Sequence, residues 1–181
     1  MKRNKEFDII VWGASGFTGR LVVAYLFQNY GVDDDLKWAM AGRNKQKLKQ
    51  VCLEEADNSV PIIIADGNDD VSLKEMIIRT KVICTTVGPY AIYGSKLVSS
   101  CVNHGTDYCD LSGEVQWMRK MIDQHHETAK LNGVKIVHTC GFDSIPSDMG
   151  VYFTQRESQA QTGQLANKIQ MRVAGIRGGI S

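Results

Sequence analysis

The residues best suited to chemistry form a glycine-rich segment near the N-terminus, reading GASGFTG over residues 13–19 directly after the apolar run Asp8–Trp12. In this position the first glycine permits a tight turn, the second lets the backbone approach a pyrophosphate, and the third lets a helix pack close to the strand. The N–H groups at the start of that helix would bind the phosphate oxygens. The segment therefore predicts a dinucleotide site, with a glycine-rich turn that binds nothing as the structural alternative. A mononucleotide P-loop is excluded, because Arg20 follows the last glycine where Lys would be needed.

The residues after the second apolar run, Leu36–Ala41, indicate which dinucleotide binds. An NAD site expects Asp or Glu there to hold the ribose 2′-hydroxyl. This chain has Gly42 and Arg43 instead, so no carboxylate repels a 2′-phosphate and a guanidinium can bind one with two hydrogen bonds. Lys47 lies one helical turn further on and adds a second positive charge. We therefore predict that the cofactor is NADP, and that NAD fits less well. The alternative is that Arg43 is only a solvated residue before a helix.

Further candidate ligand contacts follow the third and fourth apolar runs, Val60–Ala65 and Val82–Val87. Asp66 can accept a hydrogen bond from an adenine amine, or it can be a turn or cap residue. Ligands of open α/β sheets bind outside the carboxyl ends of the strands, so Gly88 is predicted to let the backbone approach the cofactor, and Pro89 and Tyr90 to border the nicotinamide-ribose side. Tyr90 is expected to pack against the cofactor, with proton donation as the other possibility. The predicted cofactor-binding set is Gly13, Ala14, Ser15, Gly16, Phe17, Thr18, Gly19, Arg43, Asn44, Lys47, Asp66, Val87, Gly88, Pro89, Cys140 and Gly141.

The fifth and sixth apolar runs, Asp107–Leu111 and Val134–Thr139, also end in polar residues. These residues would share one sheet edge, so they are the candidates for facing a substrate. The predicted catalytic candidates are Tyr90, Asp110, Glu114, Asp143 and Ser144. For Ser112, Asp143 and Ser144 the alternative is helix capping, with Glu114 and Pro146 in the first turns of the helices that follow.

Alternating strands and helices must position these segments. The six apolar runs are mostly continuous rather than alternating, which is typical of strands buried on both faces of a parallel sheet. Amphipathic stretches between them predict helices near 17–30, 44–56, 70–79, 93–103 and 114–131. The alternation predicts an α/β fold of the Rossmann type, a doubly wound parallel sheet with helices on both faces.

The last part of the chain has a different pattern. Lys168–Val173 alternates polar and apolar residues, as in a strand with one solvated face. The pattern predicts the first strand of a second domain that the sequence lacks; the alternative is a seventh strand at the edge of the first sheet. The expected division is a Rossmann domain over 1–158, followed over 159–181 by a linker and the start of a truncated α+β substrate domain.

Composition argues against several classes of function. The chain has 181 residues, 43% of them hydrophobic and 23% charged, so it is expected to fold without a metal or disulfide staple. A formal net charge of +1 argues against nucleic acid as the main ligand, and no apolar run approaches the roughly 18 residues of a membrane span. The five cysteines form no C-x-x-C pair. His125 and His126 are adjacent on a predicted helix and so face different directions, and we predict no metal site.

Five segments stand out in order along nearly the whole chain: IIVWGASGFTG at 9–19, AGRN at 41–44, TTVGPY at 85–90, DYCDLSGE at 107–114 and CGFDSIPSD at 140–148. Together they resemble the saccharopine dehydrogenase-like oxidoreductases, a group that includes trans-acting enoyl reductases. The resemblance implies an NADP-binding domain followed by a larger C-terminal domain that closes the substrate cleft. It also implies association with mitochondria, membranes or lipid droplets in eukaryotic members. Because the sequence stops inside what resembles the entry to that second domain, we expect the chain to bind cofactor without turnover.

These observations predict an NADP-dependent oxidoreductase that transfers hydride between nicotinamide and a carbonyl, imine or activated alkene, with lipid or glycolipid metabolism as one setting. A dinucleotide sensor that binds without catalysis is the alternative. An extended short-chain epimerase or reductase shares the glycine spacing, but the sequence has no Tyr-x-x-x-Lys set. Expected partners are a small-molecule substrate, a second copy in a homodimer, and a membrane or lipid-droplet surface reached through the missing C-terminal part. The expected location is a reducing intracellular compartment, at the cytoplasmic face of a lipid droplet or mitochondrion.

Overall fold

The computed structural model describes residues 5–32 and 35–175, and six strands form one sheet within these ranges. The strands are β1 (Phe7–Trp12), β2 (Trp38–Gly42), β3 (Ile62–Ile64), β4 (Thr80–Thr85), β5 (Asp107–Asp110) and β6 (Ile136–Val137). All neighbouring pairs are parallel, and the order across the sheet is β3-β2-β1-β4-β5-β6. Each strand overlaps one of the six predicted runs; β2 and β5 are one residue shorter than predicted, and β3 and β6 are shorter by three and four residues. The predicted parallel α/β sheet is therefore confirmed.

Six helices are present in the same part of the chain. They are α1 (Phe17–Tyr30), α2 (Lys45–Glu55), α3 (Asp70–Ile77), α4 (Tyr90–His104), α5 (Val115–Asn132) and α6 (Ile145–Thr162). The first helix has the predicted bounds, and the next four begin and end within three residues of theirs. The last was not predicted as a helix, although Pro146 was interpreted as a first-turn residue and does lie there. None of the helices in the described ranges combines the length and hydropathy of a membrane span.

Helices cover both faces of the sheet. On one face α1 and α2 bury Val23 and Leu48 in a cluster with Trp38 of β2. On the other face α3, α4 and α5 contribute buried side chains, including Leu97, to a cluster with Ile10 of β1. Since the central strands are apolar on both sides, their sequences are continuous apolar runs rather than alternating ones. This packing confirms the doubly wound Rossmann architecture.

The sheet changes its direction of winding at β1, which lies between β2 and β4. Ligands of open α/β sheets bind at such a switch point, outside the carboxyl ends of the strands. Trp12, the last residue of β1, pairs in register with Thr85, the last residue of β4. The N–H of Thr86 then donates a hydrogen bond of 3.1 Å to the Trp12 carbonyl. The glycine segment and the residues after β4 therefore leave the sheet side by side.

The described residues separate into two compact units, the first ending at Cys140 and the second beginning at Gly141. In the second unit the side chain of Gln155 binds the carbonyl and the N–H of Ala166, at 3.0 and 2.8 Å, and so joins α6 to the segment that follows it. Lys168–Val173 was predicted as a strand but forms none, because a strand needs a partner ladder and its unit contains no other strand within the described residues. That residues 159–181 begin a second domain stays a prediction, and the last six of them lie outside the described part of the chain.

Candidate cofactor site

The glycine segment forms a tight loop between β1 and α1. Gly13 has a φ of 87°, in the left-handed region, and its N–H donates to the Ala41 carbonyl at 3.0 Å. A Cβ on Gly13 would lie 2.4 Å from Cγ2 of Val87. Both the dihedral angle and this contact require glycine. The predicted tight turn is therefore present.

The other two glycines of the loop differ in what restricts them. A Cβ on Gly19 would lie 2.2 Å from the Gly13 carbonyl oxygen and 2.8 Å from Cα of Ala14, so this glycine is what allows α1 to pack against the loop. A Cβ on Gly16 would meet only the Gly13 carbonyl oxygen, at 3.3 Å, and Gly16 has ordinary extended backbone. The fold alone thus requires Gly19 more strictly than Gly16. A strict need for glycine at position 16 would come from a bound pyrophosphate.

The N-terminus of α1 lacks the groups that usually neutralise a helix start. Its N-cap residue, Gly16, makes no side-chain hydrogen bond, and the first turn contains no acidic residue. The guanidinium of Arg20 pairs with Glu54 and Glu55 of α2, so it is already engaged. Backbone N–H groups are therefore what this helix offers to phosphate oxygens. The remaining loop residues range from buried to exposed: Ala14 buried, Ser15 and Thr18 half-buried, Phe17 exposed.

A cleft of about 380 Å³ extends along the carboxyl edge of the sheet from the glycine loop to the ends of β2 and β3. It brings together residues that the sequence analysis had selected from separate segments. Its lining consists of Trp12, Gly13, Ser15, Gly16, Gly42, Arg43, Asn44, Lys47, Asp66, Gly67, Asn68, Thr86, Val87, Gly88 and Tyr93. A volume of this order is in the range of small-molecule and cofactor sites. Backbone N–H groups in one part and two cationic side chains in another fit the pyrophosphate and the 2′-phosphate of NADP.

Arg43 and Lys47 are the cationic side chains of this cleft. Both are exposed, and neither forms an ion pair with any residue that the structure describes. Asn44 is engaged locally: its Oδ1 accepts a hydrogen bond of 3.0 Å from the N–H of Lys47 and caps α2. β2 ends in Gly42 and Arg43 follows directly, so the end of this strand carries no Asp or Glu. The positive charge and the missing carboxylate both fit a 2′-phosphate.

Asp66 lies in the part of the cleft formed by residues after β3. Its Oδ1 accepts a hydrogen bond of 2.9 Å from the N–H of Asn68, which makes it a turn residue. It does not cap α3, because Asp69 does so through the N–H groups of Val71 and Ser72. Asp66 still lines the cleft, and its contact with adenine stays a prediction.

Residues 87–90 connect β4 to α4. Val87 is half-buried and Gly88 is exposed, and both line the cleft. Pro89 occupies the N-cap position of α4, where it cannot cap through its side chain. Pro89 and Tyr90 are not among the residues that line the cleft, and the prediction that they border the nicotinamide-ribose side stays a prediction.

Tyr90 and Glu114 have structural roles. Both carboxylate oxygens of Glu114 accept hydrogen bonds from the start of α4, from the N–H groups of Tyr90 at 2.6 Å and Ala91 at 2.8 Å. Tyr90 is 5% exposed, its hydroxyl donates to the Thr85 carbonyl at 3.3 Å, and its ring packs 5.6 Å from that of Trp117. Burial raises the pKa of Tyr90 to about 12. Glu114 therefore caps a helix and Tyr90 is a core residue, and the catalytic roles expected for them stay predictions.

Asp110 is the centre of a buried hydrogen-bond network at the end of β5. Its carboxylate accepts from the Tyr108 hydroxyl at 2.8 Å, from the N–H groups of Ser112 and Thr139 at 3.0 and 3.1 Å, and from Nδ1 of His138 at 2.7 Å. Burial pushes the pKa of Asp110 upward, but these hydrogen bonds, first among them that from His138, outweigh it and the net pKa is lowered. Asp110 is therefore an ionised acceptor that joins β5 to β6. These contacts give Asp110 a structural role, and its expected catalytic role stays a prediction.

Sequence reasoning missed His138. Its side chain is only 9% exposed, and Nε2 has no hydrogen-bond partner among the residues that the structure describes. Thr139 next to it has a φ of 62°, which is unusual for a β-branched residue. This backbone conformation accompanies the bond from the Thr139 N–H to Asp110. One feature of the sequence could have indicated its role: His138 lies inside the apolar run Val134–Thr139, directly before the polar segment 140–148.

Ser112 and Cys140 lie at the ends of β5 and β6. Ser112 is buried, and its Oγ accepts a hydrogen bond of 3.1 Å from the N–H of Glu114. Because Glu114 is itself the N-cap residue of α5, this is a turn before the helix, and Ser112 is not the cap that the alternative expects. The N–H of Cys140 donates to the Asp110 carbonyl at 2.6 Å. Partial burial raises the pKa of the Cys140 thiol, so this cysteine lacks the environment of an activated thiolate. Its predicted contact with the cofactor stays a prediction.

The other candidates, Gly141, Asp143 and Ser144, belong to the second unit. Ser144 is the N-cap residue of α6 but makes no side-chain capping bond, so the capping alternative is wrong for its hydroxyl. At Asp143 the carbonyl, rather than the carboxylate, accepts a hydrogen bond of 3.3 Å from Ser147. Their contacts with cofactor or substrate stay predictions. Across residues 5–32 and 35–175 no group of three or more His, Cys, Asp or Glu side chains has the geometry to hold a metal ion.

Comparison with known proteins agrees with the geometry of the cleft. The family model described as the saccharopine dehydrogenase NADP binding domain matches residues 9–137. The trans-acting enoyl reductase of Mycobacterium ulcerans (strain Agy99) is 43% identical over 165 residues, which are 90% of this chain and 39% of the relative. The trans-acting enoyl reductase of Mycobacterium bovis (strain BCG / Pasteur 1173P2) is 41% identical over 166 residues, with the same coverage of 90% and 39%. The chain thus spans about two fifths of the length of the relatives it matches.

Solved structures share the fold. The apo saccharopine dehydrogenase (L-Glu forming) of Saccharomyces cerevisiae has a TM-score of 0.58 and 18% identity, covering 82% of this chain and 32% of that protein. The triphenylmethane reductase of Citrobacter sp., complexed with NADP(H), has a TM-score of 0.56 and 15% identity, covering 86% of this chain and 55% of that protein. At these identities the likeness concerns the fold alone.

Proposed function

We propose that this chain, which belongs to the saccharopine dehydrogenase NADP binding domain family, is the cofactor-binding part of an NADPH-dependent enoyl reductase. Membership of the family confirms the resemblance drawn from the five sequence segments, and NADP as the cofactor. The reaction is what we propose here. Of the three hydride acceptors that the sequence left open (a carbonyl, an imine or an activated alkene), we choose the activated alkene, because relatives 41% and 43% identical are named enoyl reductases.

The observation that carries the proposal is the cleft at the switch point of the sheet. It joins the glycine loop, whose N–H groups suit a pyrophosphate, to Arg43 and Lys47, which suit a 2′-phosphate. NADPH, when bound, supplies the hydride that adds to one carbon of the enoyl double bond, while a proton adds to the other. The chain itself binds and orients the cofactor, and Val87 and Gly88 border the side predicted for the nicotinamide.

The three candidate proton donors that the structure describes best are each engaged in contacts within the first unit. Glu114 caps α4, Tyr90 is a core residue with a raised pKa, and Asp110 is an ionised acceptor in a buried network. None of the three presents a transferable proton to the cleft. We therefore expect replacement of Glu114 or Tyr90 to affect stability more than hydride transfer.

The test follows NADPH consumption by its near-ultraviolet absorbance, using the complete protein that carries this sequence. An α,β-unsaturated acyl thioester is offered as substrate, and the saturated thioester of the same length is the control. The proposal expects NADPH consumption with the unsaturated thioester only. NADPH binding without consumption would favour the alternative function, a dinucleotide sensor.

The lipid or glycolipid setting, the homodimer and the association with membranes, mitochondria or lipid droplets stay predictions. They rest on the resemblance drawn from the sequence. The choice of an acyl thioester in the assay follows from the word enoyl in the names of the relatives. A fatty-acyl series of increasing length in the same assay would test the lipid setting directly.

A further inference from the structure

We propose that Tyr93 forms one wall of the adenine subsite, with its ring packed against the face of the base. Sequence analysis assigned no role in ligand binding to this residue and selected Tyr90 instead. The inference rests on NADP as the cofactor and is independent of the reaction proposed above. It is argued from three points: the place expected for the 2′-phosphate, the loop that lies beside Tyr93, and the exposure of the Tyr93 ring.

The position of the 2′-phosphate fixes the position of the base. This phosphate is attached to the same ribose as the adenine, so the base lies within one sugar of Arg43. β2 and β3 are neighbours in the sheet, with Gly42 in register with Ile64. The residues after β3, including Asp66 and Asn68, therefore line the cleft next to Arg43. The base is expected at the carboxyl end of β3.

The first turns of α4 lie beside that same loop. The Nζ of Lys96 donates to the Asn68 carbonyl at 3.3 Å and pairs with Oδ1 of Asp70 at 3.2 Å. Tyr93 precedes Lys96 by three residues, so the two side chains lie on one face of the helix. Tyr93 also lines the cleft together with Asp66 and Asn68. Because Lys96 contacts the loop after β3 and Tyr93 lies on the same helix face, we expect the Tyr93 ring at the end of the cleft where the base would lie, rather than at the end of β5.

The ring of Tyr93 is exposed enough to contact a ligand. It is 49% exposed, whereas Tyr90, one turn earlier, is 5% exposed and packs in the core. Within the described residues the Tyr93 hydroxyl forms no hydrogen bond, so no polar partner holds the ring in another orientation. The lining residues after β3, Asp66, Gly67 and Asn68, are glycine or polar. An aromatic face in such surroundings suits a planar base, which would stack on it and cover its apolar surface.

The test compares two ligands by isothermal titration calorimetry with the 181-residue chain. Adenosine 2′,5′-bisphosphate carries only the adenine half of the cofactor, and NADPH carries both halves. We expect Tyr93→Ala to weaken both ligands by the same factor, about tenfold, as for the loss of one base-stacking contact. Tyr93→Phe keeps the ring and should retain the affinity of the unaltered chain. Tyr25→Ala removes a tyrosine that is 58% exposed on α1 and outside the cleft, and it should change neither affinity.

Three results would overturn the proposal. If Tyr93→Ala weakens NADPH but not the bisphosphate, the tyrosine serves the nicotinamide half. If Tyr93→Ala behaves like Tyr25→Ala, the residue has no part in binding. If the unaltered chain does not bind the bisphosphate, the NADP assignment fails together with the adenine subsite. NADPH binding without enoyl reduction, in contrast, would contradict only the proposed function.

Discussion

The buried carboxylate of Asp110 accepts a 2.7 Å hydrogen bond from Nδ1 of His138, and this pair connects the ends of β5 and β6. The Asp110 side chain is fully buried, and that of His138 is 9% exposed. An ionised carboxylate can only accept, so the proton of this bond belongs to Nδ1. Three further donors complete the shell of Asp110. The pair is therefore an element of stability at the edge of the sheet.

Removal of the carboxylate should destabilise the first unit strongly. Asp110→Ala leaves His138 Nδ1, the Tyr108 hydroxyl and two backbone N–H groups without their acceptor. Each buried donor left unpaired costs about 1–3 kcal/mol. Urea unfolding at neutral pH, followed by circular dichroism, measures the loss of unfolding free energy. Asp123→Asn is the matched control, since Asp123 pairs with Arg119 on the exposed surface of α5 and should matter far less. Equal effects of the two substitutions would contradict this account of Asp110.

The same network predicts how stability depends on pH. The pKa of Asp110 is lower in the folded chain than in the unfolded chain, so its contribution is fully present above the unfolded pKa and is lost as pH falls through the folded pKa. The unfolding free energy should therefore decrease in acid below roughly pH 4, the ordinary range of an aspartate. In this range the difference between the unaltered chain and Asp110→Ala should shrink. A difference that stays constant down to the acid limit of folding would argue against an ionised Asp110.

Some of these features follow from the sequence, and others depend on distant partners. The start of α1 and the role of Gly13 could be predicted because both depend on a few adjacent residues. Arg43 could be interpreted because its place after a strand defines what it faces. Glu114 and His138 could not, since their functions come from residues 23, 24 and 28 positions away along the chain.

The glycine loop offers a test that separates binding from folding. Gly16→Val should abolish NADPH binding with little change in circular dichroism, because a branched side chain would occupy the space of the pyrophosphate. Gly19→Ala should lower the melting temperature, since its Cβ would lie 2.2 Å from the Gly13 carbonyl oxygen. Calorimetric titration and thermal unfolding of both variants give the comparison. Unchanged NADPH affinity in a folded Gly16→Val chain would mean that the loop is only a turn.

Glu114 provides a test of a structural role against a catalytic one. Glu114→Ala removes the acceptor for two N–H groups of α4, and loss of a helix cap costs about 1 kcal/mol. The free energy of unfolding should fall by that amount, while NADPH affinity should stay within experimental error. Urea unfolding and calorimetric titration of one preparation measure both quantities. Unaltered stability would show that the cap contributes nothing, and the catalytic role would have to be considered again.

We expect the cleft beside β1 to select NADP over NAD through Arg43. Titration calorimetry of the 181-residue chain with NADPH and NADH measures this selectivity, with Arg43→Ala and Lys47→Ala as variants. The account predicts that NADPH binds at least tenfold more tightly, about 1.4 kcal/mol, and that Arg43→Ala removes most of this preference while leaving NADH affinity nearly unchanged. Lys47→Ala should reduce the preference less. Equal affinities for NADPH and NADH, or a preference that survives in Arg43→Ala, would contradict the account.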